Sequence, residues 1–301
     1  MVIDRRDSSL GSVVYRHIKD GDFDPKTLWR GAKLAAKHLA VSTAETYSLE
    51  GPKIADDFLG HKGLTMVSYG MPFRYTRFSD YKIDVRFILF PESWKFNIGL
   101  TTNPLGPEVA MLYELGAVAA FQGPTFDSDI YSEPVANNGF MFQGRLLRPF
   151  METKPAGKRR GAIIQYENGN VQLVNDTIKW AALSDPQGIK AISGTSDYFI
   201  DDETSEQLRQ SERPKHQSSL LIQDKDTGRL VYYPTNFPLP REAVYRTVQE
   251  FAHDFGIGHF MAVELEHNGA AFYVREKHAN TVYAYPGHID YRRRDHYYFE
   301  E

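Results

Sequence analysis

Residues 241–268 read REAVYRTVQEFAHDFGIGHFMAVELEHN. Val244, Val248, Phe251, Ala252 and Phe255 recur at helical spacing, Pro240 precedes them and Gly256 follows. The spacing predicts an amphipathic helix over Arg241–Phe255 with a glycine stop. His259–Leu265 then reads as a strand. Strand alternation puts Met261, Val263 and Leu265 on one apolar face, and Ala262, Glu264, Glu266 and Asn268 on the other. A polar loop follows, Glu266-His267-Asn268-Gly269. Helix, glycine, apolar strand and polar loop form a unit whose strand end is a common place for chemistry.

A second copy of that unit stands upstream. Pro104–Gly116 reads as a helix, with Val109, Leu112 and Leu115 on one side. Ala117–Phe121 is a short apolar strand, and Gln122-Gly123-Pro124-Thr125-Phe126-Asp127 is its polar loop. Two such units side by side in one sheet would bring residues 122–129 and 264–269 to one pocket. Between and around them Tyr81–Phe90 is β-rich. Asn138–Leu147, Arg160–Val174 and Ser218–Tyr233 look like hairpins, the second turning at Glu167-Asn168-Gly169-Asn170. Asp201–His216 is polar, a surface loop or a lid.

Residues 1–75 read differently. Leu28, Trp29, Ala32, Leu34, Ala35, Ala36 and Leu39 have roughly helical spacing after a cap at Asp24-Pro25, and Thr43–Leu59 suggests another short helix. The expected organisation is a helical N-terminal extension (1–75), an α+β domain (76–285) with a mixed β-sheet core and packed helices, and a basic-aromatic tail (286–301).

Composition narrows the function. The 301 residues carry 35 Lys+Arg against 39 Asp+Glu, a net charge of -4, which removes the electrostatic case for a nucleic-acid partner. The absence of cysteine excludes disulfides, thiolate metal sites and a Cys nucleophile. No apolar run approaches the ~20 residues of a membrane span, and no signal-peptide core opens the chain. The expectation is a cytoplasmic protein with no membrane partner. Phosphate-loop, dinucleotide and nucleophile-elbow signatures are absent, and the histidines lack a zinc-binding spacing.

The acid pair Glu264 and Glu266 is the main candidate. At i and i+2 the two lie roughly 7 Å apart at Cα on an extended strand. They can share a proton, act as acid and base, or ligate a hard cation. They are equally readable as a solvated outer face. Gln122, with an amide donor and acceptor, and Asp127 form the second candidate, Asp127 being also a plain turn residue. Asn137-Asn138-Gly139 is a tight turn or a ligand edge, and Lys158-Arg159-Arg160 a phosphate contact or a solvated loop.

The order of five segments resembles the phosphodiester glycosidase family over roughly residues 80–275. Ala119-Ala120-Phe121-Gln122-Gly123-Pro124-Thr125-Phe126-Asp127 is similar to its strand followed by Asn-Gly-Gly-Phe-Phe. Pro134–Gly139 leading to Phe142-Gln143-Gly144-Arg145-Leu146 is similar to its Pro-x-Gly segment and following strand. Arg160-Gly161-Ala162-Ile163-Ile164 resembles its Arg-x-Ala-Ile hairpin, and Lys215–Leu221 the segment before a later hairpin. Glu264-Leu265-Glu266-His267-Asn268-Gly269 resembles its closing Asn-Leu-Asp-Gly-Gly-Gly-Ser. The departures fall on polar positions. Gln122 replaces Asn, Gln217 or Ser218 replaces Arg, and Glu264 and Glu266 replace Asn and Asp.

The resemblance implies hydrolysis or transfer at a sugar-phosphate or related glycosidic bond. Glu266 is then the catalytic carboxylate, Glu264 its partner, His267 a proton shuttle, and Asp127 and Gln122 orient substrate hydroxyls. Asn138, Arg160 and Asn268 complete the substrate contacts. No organic cofactor is expected, and a divalent cation is compatible with the carboxylates. The rival readings are a non-catalytic carbohydrate- or nucleotide-binding protein on the same fold, and a biosynthetic enzyme with a repurposed pocket.

Overall fold

A computed structural model describes residues 51–76, 79–105, 115–124, 135–136, 138–150, 161–174, 188–195, 199–201, 219–234, 239, 241–265, 272–279, 281–285 and 293–301. In chain order the strands begin with β1 (Lys53–Ala55), β2 (Thr65–Thr76), β3 (Ser79–Leu89), β4 (Lys95–Leu105) and β5 (Ala119–Phe121). A 3-10 turn, Phe58–Gly60, separates β1 from β2. Next come β6 (Phe140–Phe142), β7 (Arg145–Arg148), β8 (Ala162–Tyr166), β9 (Val171–Val174), β10 (Ile189–Gly194) and β11 (Phe199–Asp201). The last are β12 (Ser219–Asp224), β13 (Leu230–Pro234), β14 (Phe260–Glu264), β15 (Phe272–Arg275), β16 (Val282–Tyr285) and β17 (Arg293–Glu300). Among the described residues the one α-helix is α1 (Arg241–Asp254).

Three antiparallel sheets result. The first runs β1-β2-β3-β13-β12-β14-β11, the second β7-β6-β10-β8-β9, and the third β16-β15-β5-β17-β4. This corrects the expected α+β fold with packed helices. Residues 53–55 and 65–75, expected within a helical extension, lie in strands. Pro104 and Leu105, expected to open a helix, end β4. The helical spacings at 24–39 and 107–114 lie outside the described residues. What overrides the helical reading at 104–105 is strand pairing: Leu105 stands opposite Arg293 of β17, at the end of an antiparallel ladder that runs to Lys95 opposite Glu300. Residues 293–300, read as part of a tail, form a strand between β5 and β4.

The chain divides into two compact units, residues 1–50 with 70–83, and residues 51–69 with 84–301. In the second unit an aromatic core joins the sheets. Phe90 of the β3 end stacks on Phe299 of β17 with centroids 3.8 Å apart, and Phe121 of β5 stacks on Tyr232 of β13 at 4.8 Å. On the opposite face of the first sheet, Phe87 stacks on Phe251 of α1 at 4.0 Å. The helix stops as its glycine predicts: Gly256 adopts φ +66, its N–H reaches His253 O (3.2 Å), and Ile257 N–H reaches Ala252 O (2.8 Å).

Two buried glutamines stitch sheet to sheet. Gln165 of β8 accepts from Ile98 N–H and donates to Phe96 O, both at 2.8 Å, on edge strand β4. Gln223 of β12 does the same to β9, accepting from Leu173 N–H (2.9 Å) and donating to Val171 O (2.7 Å). Each side-chain amide acts as one residue of an extra strand and satisfies groups that burial would otherwise orphan.

Candidate functional site

The strand ends flanking the five segments singled out in the sequence meet in one place. After β5, Gly123 lies against Tyr297 of β17, so closely that a β-carbon on it would come within 2.0 Å of Tyr297 Cε2. The Tyr297 hydroxyl donates to Asp295 Oδ2 (2.8 Å). Because that hydroxyl has one proton, Ser193 Oγ–H of β10 donates to it in turn. Asp295 is fully buried, and the same carboxylate oxygen accepts Ala136 N–H at 3.1 Å.

From Ser193 the connections continue along β10. Gly194 N–H donates to Gly139 O (2.8 Å), and Asn138 Nδ2 donates to Thr195 O (2.8 Å). Thr195 N–H donates to Gly161 O at 2.9 Å. Gly161 faces Val263 of β14, where a β-carbon would stand 2.7 Å from Val263 Cγ1. Two residues on, Leu265 N–H donates to Ser219 O (2.8 Å), the first residue of β12. Gly123, Asn138 and Gly161 therefore meet around β10 and β17, and Val263 beside Gly161 leads on to the Leu265–Ser219 bond.

The expected site residues distribute unevenly over this frame. Asn138 belongs to it through its bond to Thr195. Gln122 is 1% exposed, and its Oε1 has no hydrogen-bond partner. Continued by one residue, the pairing Phe121↔Tyr297 puts Gln122 opposite His296, whose Nε2 lies 3.0 Å from Thr101 Oγ1. Glu264 is 2% exposed and ends β14. The registers Leu220↔Glu264 and Leu220↔Tyr233, with Tyr233 beside Phe87, place Glu264 on the face of the first sheet that carries Phe87. Tyr232, which carries Phe121, is on the other face of the same sheet.

The two helix-glycine-strand units are thus not neighbours in one sheet: β5 belongs to the third and β14 to the first. Asp127, Arg160, Glu266, His267 and Asn268 lie outside the described residues. Ser193, Thr195, Asp295 and Tyr297 were missed. A two-residue alternation over Asp295, Tyr297 and Phe299, all buried, was the available signal. Among the described residues no group of three or more His, Asp or Glu could hold a metal ion, and no helix is long and apolar enough to cross a membrane.

Of the groups that tie these ends together, Ser193, Asp295 and Tyr297 are buried side chains bonded to one another, and Thr195 acts through its backbone.

Among solved structures, the chain is similar to the zebrafish N-acetylglucosamine-1-phosphodiester alpha-N-acetylglucosaminidase catalytic domain auto-inhibited by its pro-peptide. The TM-score is 0.52 at 12% sequence identity, covering 83% of this chain and 88% of that one. A hypothetical protein from Synechocystis aligns with a TM-score of 0.41 and 9% identity, over 84% of this chain and 64% of that one. At 12% identity the first likeness is one of fold. No protein-family model matches the chain, and no curated protein does.

Proposed function

We propose that this protein is a hydrolase or transferase acting on a sugar-phosphate or related glycosidic bond. The observation that supports the reading is the convergence just described. Three segments far apart in sequence, each resembling a phosphodiester glycosidase motif, have their described ends at Gly123, Asn138 and Gly161 joined through Tyr297, Ser193 and Thr195, and the ends of two more meet at the Leu265–Ser219 bond. The fold likeness to a glycosidase catalytic domain agrees with it.

In this reading Glu266 is the acid–base or nucleophilic carboxylate and Glu264 its partner at the strand end. One carboxyl protonates the leaving oxygen while the other stabilises or attacks the oxocarbenium-like centre. His267 carries protons, Asp127 and Gln122 orient sugar hydroxyls, and Asn138, Arg160 and Asn268 complete the contacts. The unpartnered Gln122 Oε1 is an acceptor that a ligand hydroxyl would satisfy. The carboxylates are also suited to a divalent cation.

A panel of glycosyl phosphates and aryl glycosides tests this, with product release read for the native chain and for Glu266→Gln. Turnover falls by about 100-fold or more in the variant, and affinity stays within about tenfold. Unchanged turnover removes Glu266 from the role. The substitutions at Gln122, Glu264 and Glu266 relative to the family pattern favour one second reading, a binding protein on this fold. It predicts saturable binding by the native chain with no turnover of any compound in the panel.

A further inference from the structure

His61 follows the 3-10 turn and is 3% exposed. Its Nε2 lies 2.6 Å from Arg275 O, at the end of β15, and its Nδ1 lies 3.0 Å from Glu301 Oε1, one residue past β17. Both partners are acceptors: a backbone carbonyl has no proton, and an ionised carboxylate has none either. A neutral imidazole has one N–H, so either tautomer would set a nitrogen lone pair against an oxygen lone pair. Only the doubly protonated ring donates to both acceptors.

The turn it holds is under strain. Asp57 and Leu59 have φ 49 and φ 57, left-handed values that side-chain-bearing residues seldom adopt. The segment is fastened to the third sheet by Lys277 N–H to Leu59 O (3.1 Å) and by the two His61 bonds.

We propose that His61 is a proton-dependent latch, doubly protonated in the folded chain, which fastens the strained turn at residues 57–61 to the ends of β15 and β17. His278 packs against the same turn at Gly60. Glu301 is the anion, and Lys277 Nζ stands 3.6 Å from the same Glu301 oxygen. Trp94 meets the ring edge-on at 5.2 Å and adds no charge. Asp56 and Asp57 on the turn itself are turned to Thr65 Oγ1 and Gly63 N–H, and Glu276 is bonded to Thr281. The hydrogen bond from His61 holds the Glu301 carboxyl below the usual carboxylate range. The carboxylate that the latch needs is therefore present at neutral pH, and it is lost on the acid side as Glu301 takes a proton.

Imidazole proton–nitrogen correlation spectra of the full chain at pH 7.5 read the state directly, with His61→Gln identifying the resonances. At that pH an ordinary histidine is mostly neutral. The latch requires both His61 ring nitrogens to carry protons. It also requires that Glu301→Gln, a change at a side chain 46% exposed, return the ring to a single proton. In that variant, amide protection should fall at least tenfold at His61 and Leu64, whose N–H groups bond within the turn. A single-proton ring in the native chain at pH 7.5 overturns the proposal. So does a Glu301→Gln chain whose ring and amide protection are unchanged. If His61→Gln does not fold, the resonances are identified from Glu301→Gln, with His278→Gln removing the neighbouring ring from the spectrum.

Discussion

Replacing Gln165 by leucine removes a side chain that stands in for a strand. Leucine is close in size, so packing changes little. What changes is the fate of Ile98 N–H and Phe96 C=O, which lose bonds of 2.8 Å each on an edge strand with no neighbour on that side. Each orphaned buried backbone group costs about 1–3 kcal/mol. Burying the added apolar surface returns about 1–2 kcal/mol. The expected net loss, at the middle of those ranges, is about 2.5 kcal/mol, read as a lower urea midpoint at unchanged slope. Hydrogen exchange localises it: protection at Ile98 should collapse first, because its amide then has no partner except water. Gln165→Glu should be no better, since the carboxylate keeps the acceptor for Ile98 but faces Phe96 O without a donor. A loss below about 1 kcal/mol, with Ile98 still protected, would refute the idea that the amide stitches the second sheet to the third.

Other outcomes follow from the same contacts. Gly123→Ala should cost about 1–3 kcal/mol by overpacking against Tyr297, and a melting temperature equal to that of the native chain would show that the approach relaxes freely. Tyr297→Phe should cost a similar amount, because Asp295 loses a buried donor and Ser193 an acceptor; a thermal melt indistinguishable from the native one contradicts the chain of bonds. Tyr69 is held protonated by burial first and by its bond to Asp254, which together push its phenol up. Its contribution to stability is therefore intact below the ordinary tyrosine value of roughly 10 and is lost as pH rises beyond it. Tyr69→Phe should flatten the alkaline fall in melting temperature, and identical alkaline limbs in both proteins would count against it. The Glu266→Gln comparison described above separates catalysis from binding.

Local elements were legible in the sequence because local forces make them. The hairpin at 167–170 closes through Asn168, Gly169 and Asn170, with Tyr166 N–H reaching Asn170 O at 2.8 Å, all within five residues. Helix α1 ends at Gly256 through bonds spanning three and five residues. The alternation of Met261, Val263 and Leu265 placed them together in the core. Where the sequence misled was in long strands rich in polar residues and interrupted by glycine or proline, β2 and β4, and in the arginine- and tyrosine-rich end that became β17. Such strands satisfy their backbone only through partners elsewhere in the chain, so their identity is a property of the sheet and not of the segment. The same holds for the site. Gln165 finds Ile98 across 67 residues and Ser193 finds Tyr297 across 104. No periodicity encodes those meetings. They arise because three sheets share one apolar core, whose packing decides which strand ends converge and which face of a sheet a residue such as Glu264 occupies.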